Sequence, residues 1–283
     1  MKTHFLSSRI LYLFVIATFL TSCEKVIELD LDTQEKELVV DGAIDWEKGT
    51  QGREQKIHLY FTQPYYEQGQ AENATGASVS VTDNQGNTFL FPETQPGNYL
   101  CSNFTPELGK QYELSILHQG KQYRASDLMR EVPLLSEANI EQRNDGGFTR
   151  DEIQLTLRFD ANPTEENNFI LKIKASSDGV SRIYGFDGRF FTNGHFFTQI
   201  VSRSRDKNEK FKPGDTVEIS LYRVSENYKD FIRILSNNSS DNAGAFSIPN
   251  RVKGNIVNTE NFLKNPLGAF RVAQYSKIIY TIR

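Results

Sequence analysis

Apolar side chains recur at every second position through most of this sequence, and a period of two admits few folds. From Glu37 to Ser126 the alternation is carried by short runs marked by Val39 and Asp41, Ile57 and Leu59, Val79 and Val81, and Tyr112, Leu114 and Ile116. Turn chemistry separates the runs: Asp83-Asn-Gln-Gly86, Gln95-Pro-Gly97, Leu108-Gly109 and Gln119-Gly120. About seven strands at roughly ten-residue spacing predict an antiparallel sandwich over 37–130. The 20 Phe and 12 Tyr, against two Met and one Trp, favour half-buried strands over helices. Tyr99 and Tyr112 fit core positions with bonded hydroxyls, since a strand tyrosine buries its ring and satisfies its tip.

Glu131-Val-Pro133 and the polar stretch Gln142-Arg-Asn-Asp-Gly-Gly147 place a boundary between residues 130 and 150. A second antiparallel β domain is predicted over 150–283. Ile153, Leu155, Leu157 and Phe159 alternate with polar neighbours, as do Phe169, Leu171 and Ile173, and later Val217, Ile219 and Leu221. Between them lie Tyr184, Phe186, Phe190, Phe191, Phe196 and Phe197, with Asn193-Gly194 signalling a hairpin. Adjacent aromatics on a strand point to opposite faces. One of each pair therefore belongs to a core, and the other needs cover from this chain or from a partner. These six are the candidate partner-contact residues. One helix is predicted over 225–237, capped by Ser225, with Tyr228, Phe231, Ile232 and Leu235 as its apolar stripe. A final strand is expected from Lys277 to Ile282.

The first 22 residues read as an export signal. Lys2 and Arg9 precede an apolar run, Ile10–Leu20, broken only by Thr18 and too short to span a bilayer. Leu20-Thr21-Ser22-Cys23 resembles the bacterial lipobox, whose cysteine receives a diacylglycerol and becomes the mature N-terminus. Cys23 is thus the expected lipid attachment site, and 23–36, with Val26 to Asp32 in loose alternation before the polar stretch Asp32-Thr-Gln-Glu-Lys-Glu37, the expected tether. Glu24 behind the cysteine partly resembles the surface-export signal of lipoproteins in Bacteroidota. Cleavage removes Lys2 and Arg9 from 32 basic residues and none of the 36 acids, so the formal charge moves from −4 to −6. An acidic chain lacks the basic face that nucleic-acid binding requires. With Cys23 lipidated, Cys101 is the one remaining thiol, which leaves no internal disulfide.

No motif supplies chemistry. His58, His118 and His195 lack the short spacings that place two metal ligands on one element. No nucleophile elbow, phosphate loop or dinucleotide fingerprint occurs, and Cys101 fits a buried apolar thiol better than a nucleophile. Asp178-Gly179 and Asp241-Asn-Ala-Gly244 read as turns rather than calcium loops. No metal or cofactor is implied.

The order of Cys23, Leu38-Val-Val-Asp-Gly42, Gly76-Ala-x-Val-x-Val81, a Tyr-rich sandwich, one helix, Pro249-x-x-Val-x-Gly254-Asn-Ile256 and Gly268-x-Phe270 resembles the DUF4249 family of Bacteroidota lipoproteins. The N-terminal region is also similar to immunoglobulin-like and transthyretin-like modules of exported proteins. The family resemblance implies a non-enzymatic outer-membrane lipoprotein, facing the cell exterior, that serves as accessory or binding subunit to a TonB-dependent receptor or another β-barrel. It implies no catalytic residues. Two alternatives are a structural subunit of an outer-membrane assembly or export machine, and a surface glycan or peptide hydrolase. Gly254 and Gly268 are expected at backbone positions where a side chain would clash.

Overall fold

The structure is a computed structural model that describes residues 35–64, 67, 69–147, 150–177, 180–187, 194–202, 210–239 and 252–283. Lys36–Arg283 forms one compact unit. Its strands are β1 (Leu38–Glu47), β2 (Gln55–Phe61), β3 (Ser78–Asp83), β4 (Thr88–Phe91), β5 (Glu93–Gln95), β6 (Asn98–Cys101), β7 (Gln111–His118) and β8 (Lys121–Leu128), then β9 (Ile140–Gly146), β10 (Glu152–Asp160), β11 (Asn168–Ala175), β12 (Arg182–Asp187), β13 (His195–Ile200) and β14 (Thr216–Arg223). The helix α1 (Glu226–Ser239) precedes β15 (Val257–Asn258) and β16 (Leu267–Thr281). Three sheets result, in the orders β12-β11-β14-β16-β1-β2-β6-β5, β13-β10-β9 and β15-β8-β7-β3-β4. Among the described residues the fold is mainly β with one α-helix, as the alternation predicts.

The last strand is the spine. β16 begins ten residues earlier than Lys277, because Gly268 takes φ +85° and turns the chain into the strand instead of away from it. It pairs β14 antiparallel at Thr216↔Thr281 and β1 in parallel at Val39↔Leu267, the latter an exception in an otherwise antiparallel fold. Its even-numbered face serves both halves of the protein. Phe270 and Val272 enter a core with Val40, Ile44, Ile57, Leu59, Tyr99 and Tyr112, whereas Tyr280 enters a second core with Leu155, Phe159, Phe169 and Leu221. Between them the 130–136 connection crosses the strand: the Val132 N–H donates to Gln274 Oε1 (3.1 Å) and the Leu135 N–H to Ser276 Oγ (2.9 Å). The division into 37–130 and 150–283 therefore does not separate the cores: Ile256, Phe270 and Val272 of the second segment complete the first core, and one sheet runs through both.

In the first half, eight strands replace about seven, and the phase of β1 is the reverse of that marked by Val39 and Asp41. Leu38, Val40, Gly42 and Ile44 face inward. Consecutive Val39 and Val40 leave that phase ambiguous in sequence. The Tyr99 hydroxyl donates to Ala74 O and accepts from the Ala77 N–H, both at 3.0 Å, and Tyr112 Oη accepts from the Glu107 N–H at 2.9 Å, five residues upstream. Both rings are fully buried, as expected of core tyrosines. At the β3–β4 turn, burial pushes the Asp83 carboxyl up. Hydrogen bonds from the Asn87 side chain, Lys110 and the Asn87 and Gln85 N–H groups outweigh this and hold it well below the usual carboxylate range.

In the second half, Asn193-Gly194 does not join a hairpin. β12 pairs with β11 in the long sheet and β13 with β10 in the three-stranded sheet, so the two strands that flank the turn signal belong to different sheets and do not pair with each other. The aromatic residues explain why. The Phe159 and Phe196 rings stack 5.0 Å apart at 2°, and Phe169, from the opposite sheet, meets them edge-on at 5.2 and 5.1 Å. Filling that interior outweighs the local turn signal. Helix α1 starts where expected and runs two residues longer. Tyr228 and Ile232 are buried and Phe231 half-buried, but Leu235 is exposed.

Candidate functional site: a helix-covered pocket

The odd-numbered face of β16 carries Ala269, Arg271, Ala273 and Tyr275. Its small residues let α1 lie close over the long sheet, where Tyr228 and Ile232 pack with Ile170, Val224, Ala269 and Ala273. Gly185 on β12 assists: a Cβ there would meet Lys229 Cγ at 3.3 Å. Between helix and sheet is a cavity of about 140 Å³ lined by Asp45, Ile170, Lys172, Ile183, Tyr222, Val224, Tyr228, Ile232 and Arg271.

Arg271 organises this pocket. Its guanidinium meets Asp45 in a two-pronged ion pair, with Nε 2.9 Å from Oδ1 and Nη2 on Oδ2, and Nη1 donates to the Tyr228 hydroxyl. It also lies over the rings of Tyr222 (5.7 Å) and Tyr228 (5.2 Å). The Tyr222 and Tyr275 rings stack 4.8 Å apart, and the Tyr275 hydroxyl donates to Glu47 Oε2 at 3.0 Å. Burial works against the charged guanidinium, but the Asp45 carboxylate and the two phenols more than offset it, keeping Arg271 charged well above the usual arginine range. Burial pushes the Tyr222 and Tyr228 phenols up, so both stay neutral hydroxyls at physiological pH. The lining holds two cations and one carboxylate beside four aliphatic side chains. Such a surface suits a small body with an anionic group.

Replacing Arg271 with Leu would leave Asp45 half-buried without its cation. The expected loss is about 3 kcal/mol, the low end of the range for a broken buried pair because both groups keep some water contact. Denaturant midpoints check this, and Arg271→Leu with Asp45→Leu should recover most of the loss.

The four described aromatic candidates, Tyr184, Phe186, Phe196 and Phe197, do not form one surface. Phe190 and Phe191 lie outside the described residues. Phe196 is 3% exposed and belongs to the second core, and Phe186 is half-buried against it. The Phe196 ring fills the space between the sheets. Tyr184 (44%) and Phe197 (53%) are exposed, but on different sheets, and Arg158 sits 5.8 Å over the Phe197 ring. Cys23 also lies outside the described residues. Cys101 is buried, its Sγ 3.2 Å from Asn103 Oδ1. Each described histidine has a separate neighbour: Asn73 Oδ1 for His58 (3.1 Å), Thr75 O for His118 (3.1 Å) and Asp160 Oδ1 for His195 (2.7 Å). Among the described residues no three His, Cys, Asp or Glu side chains are grouped to hold a metal. Sequence reasoning missed Arg271 and Asp45 and placed Tyr228 only in the helix's apolar stripe; the three meet across separations of 226 and 43 residues. The available signal was a lone arginine between Phe270 and Val272.

Gly254, Asn255 and Gly268 form a clasp rather than a ligand loop. Asn255 Nδ2 donates to Phe270 O, and Asn255 Oδ1 accepts from the Phe270 N–H, both at 2.8 Å, so one side-chain amide reads the β16 backbone as a neighbouring strand would.

Among solved structures, similarity extends to a two-domain fibronectin type III segment of chicken tenascin at 12% identity, covering 59% of this chain and 83% of that one with a TM-score of 0.20. Chicken CNTN1 FN1–FN3 domains match at 13% identity, with 66% and 60% covered and a TM-score of 0.27. A pullulanase from Anoxybacillus sp. LM18-11 complexed with maltotriose matches at 14% identity, with 67% and 24% covered and a TM-score of 0.18. No curated protein matches. The profile of a domain of unknown function, DUF4249, matches residues 24–279, a span holding the pocket, the clasp and all of the strands but the end of β16, and the chain belongs to that family.

Proposed function

We propose that this protein is a lipid-anchored, non-enzymatic binding subunit of an outer-membrane β-barrel complex, the barrel being a TonB-dependent receptor or a related protein. The observation that carries the reading is the lipobox-like Leu20-Thr21-Ser22-Cys23 placed only fifteen residues before Leu38, the first residue of a central strand. Fifteen residues reach at most about 50 Å, so a lipid at Cys23 would hold the sandwich close to the bilayer. Two further features support it: a rigid β frame with both halves tied to β16, and a small pocket of binding character under α1. The test is purification of the native chain through a C-terminal tag under mild detergent. A β-barrel protein should co-purify, and recovery of the lipoprotein alone would contradict the proposal.

A further inference from the structure

Two of the most exposed apolar side chains, Phe262 at 70% and Leu263 at 95%, are neighbours in the β15–β16 connection. The connection is held by its own side chains. Asn258 Oδ1 accepts from the Glu260 and Asn261 N–H groups (3.0 and 3.1 Å), Asn261 Oδ1 from the Leu263 N–H (3.0 Å), and Asn265 Oδ1 from the Asn258 N–H (2.8 Å). A loop fixed this way displays Phe262 and Leu263 as a standing tip, with Lys264 beside them. Its position follows from the register. Val39 pairs with Leu267 in parallel, so β1 and β16 begin at the same end of the sheet. The tether therefore enters the fold, at Lys36 and Glu37, at the end where this tip projects. The chain between Cys23 and Lys36 is thirteen residues, a leash of at most about 45 Å.

We infer that Phe262 and Leu263 form a membrane-contact tip, entering the headgroup boundary of the bilayer that holds the Cys23 lipid and fixing which end of the sandwich faces it. The inference rests on the lipid anchor proposed above. Two apolar side chains at an interface are weak alone, and a nearby acyl anchor is the second signal that makes such contacts persist. The neighbourhood is compatible: Lys36 and Lys121 lie at the same end, and Leu117 is exposed next to the β7–β8 turn.

The test uses the full lipidated chain in phosphatidylcholine vesicles that contain lipid with a nitroxide on its acyl chain. An environment-sensitive fluorophore is placed at Leu263→Cys or, as control, at Ile279→Cys, while buried Cys101 stays unlabelled. Ile279 is exposed and lies twelve residues along β16 from Leu267, about 40 Å from the tip's end. Flotation with the vesicles reads the anchor, and nitroxide quenching reads the tip. The inference expects flotation with at least about threefold stronger quenching at 263 than at 279, as for a group at the acyl boundary against one in water. Flotation with equal or absent quenching at both positions would overturn the tip and leave the anchor standing. A probe at 263 shielded from water yet unquenched would assign the tip to a protein partner and likewise overturn it. Loss of flotation would refute the anchor, and the tip with it.

Discussion

Alanine at Gly254 should cost at least about 4 kcal/mol and leave little folded protein at growth temperature. The added Cβ would sit 1.7 Å from Gly268 O, 2.8 Å from Gly268 C and 3.2 Å from Ala269 Cα, all of them backbone atoms. None of these can swing aside as a side chain would. Gly268 is itself wedged: a Cβ there would meet Val40 O at 2.1 Å, so Gly254, Gly268 and Val40 form three backbones in direct contact. Relief would require β16 to leave β1 or the Asn255 clasp to open, and opening it would draw buried Ile256 from the first core. Gly254 is not at positive φ, so the whole effect is steric. The informative contrast is Gly86→Ala, at φ +91° with open space around it, where backbone strain alone should cost about 1 kcal/mol. Thermal and denaturant unfolding of the two variants checks both values.

The stretch from Gly254 to Phe270 thus has a structural explanation in Gly254-Asn-Ile256 with Gly268-x-Phe270. Its clash was foreseeable from the sequence, but its partner was not. A glycine in a loop signals close approach without saying to what. The strands were legible because one face of each is buried and the other wet, so Ile57 and Leu59, Val79 and Val81, and Leu155 and Leu157 announce themselves. Sheet membership was less legible. Asn193-Gly194 is a local signal, while the choice between two sheets was made by the interior that Phe159, Phe169 and Phe196 fill together. The end of the chain misled for a related reason: Pro266 and Gly268 look like punctuation, yet Gly268 opens a strand of fifteen residues. The pocket was the least legible feature, since Asp45, Tyr228 and Arg271 each have an ordinary local context and acquire meaning only across β1, α1 and β16.

On the proposed lipid anchor, replacing Cys23 with Ala should abolish lipid attachment and free the protein from the membrane fraction. A diacylglycerol on the thiol supplies two acyl chains, and at roughly 0.8 kcal/mol for each buried methylene two chains anchor stably where one does not. Among the described residues no helix is long and apolar enough to cross a bilayer, and a tip of two side chains would not replace the lipid. The direct measurement is growth with radiolabelled palmitate, followed by capture of the full chain and its Cys23→Ala variant through a C-terminal tag. The account predicts label on a mature chain that begins at Cys23 and none on the variant, which should also leave the membrane fraction. Equal label on both, or an unlabelled native chain retained in the membrane, would contradict it.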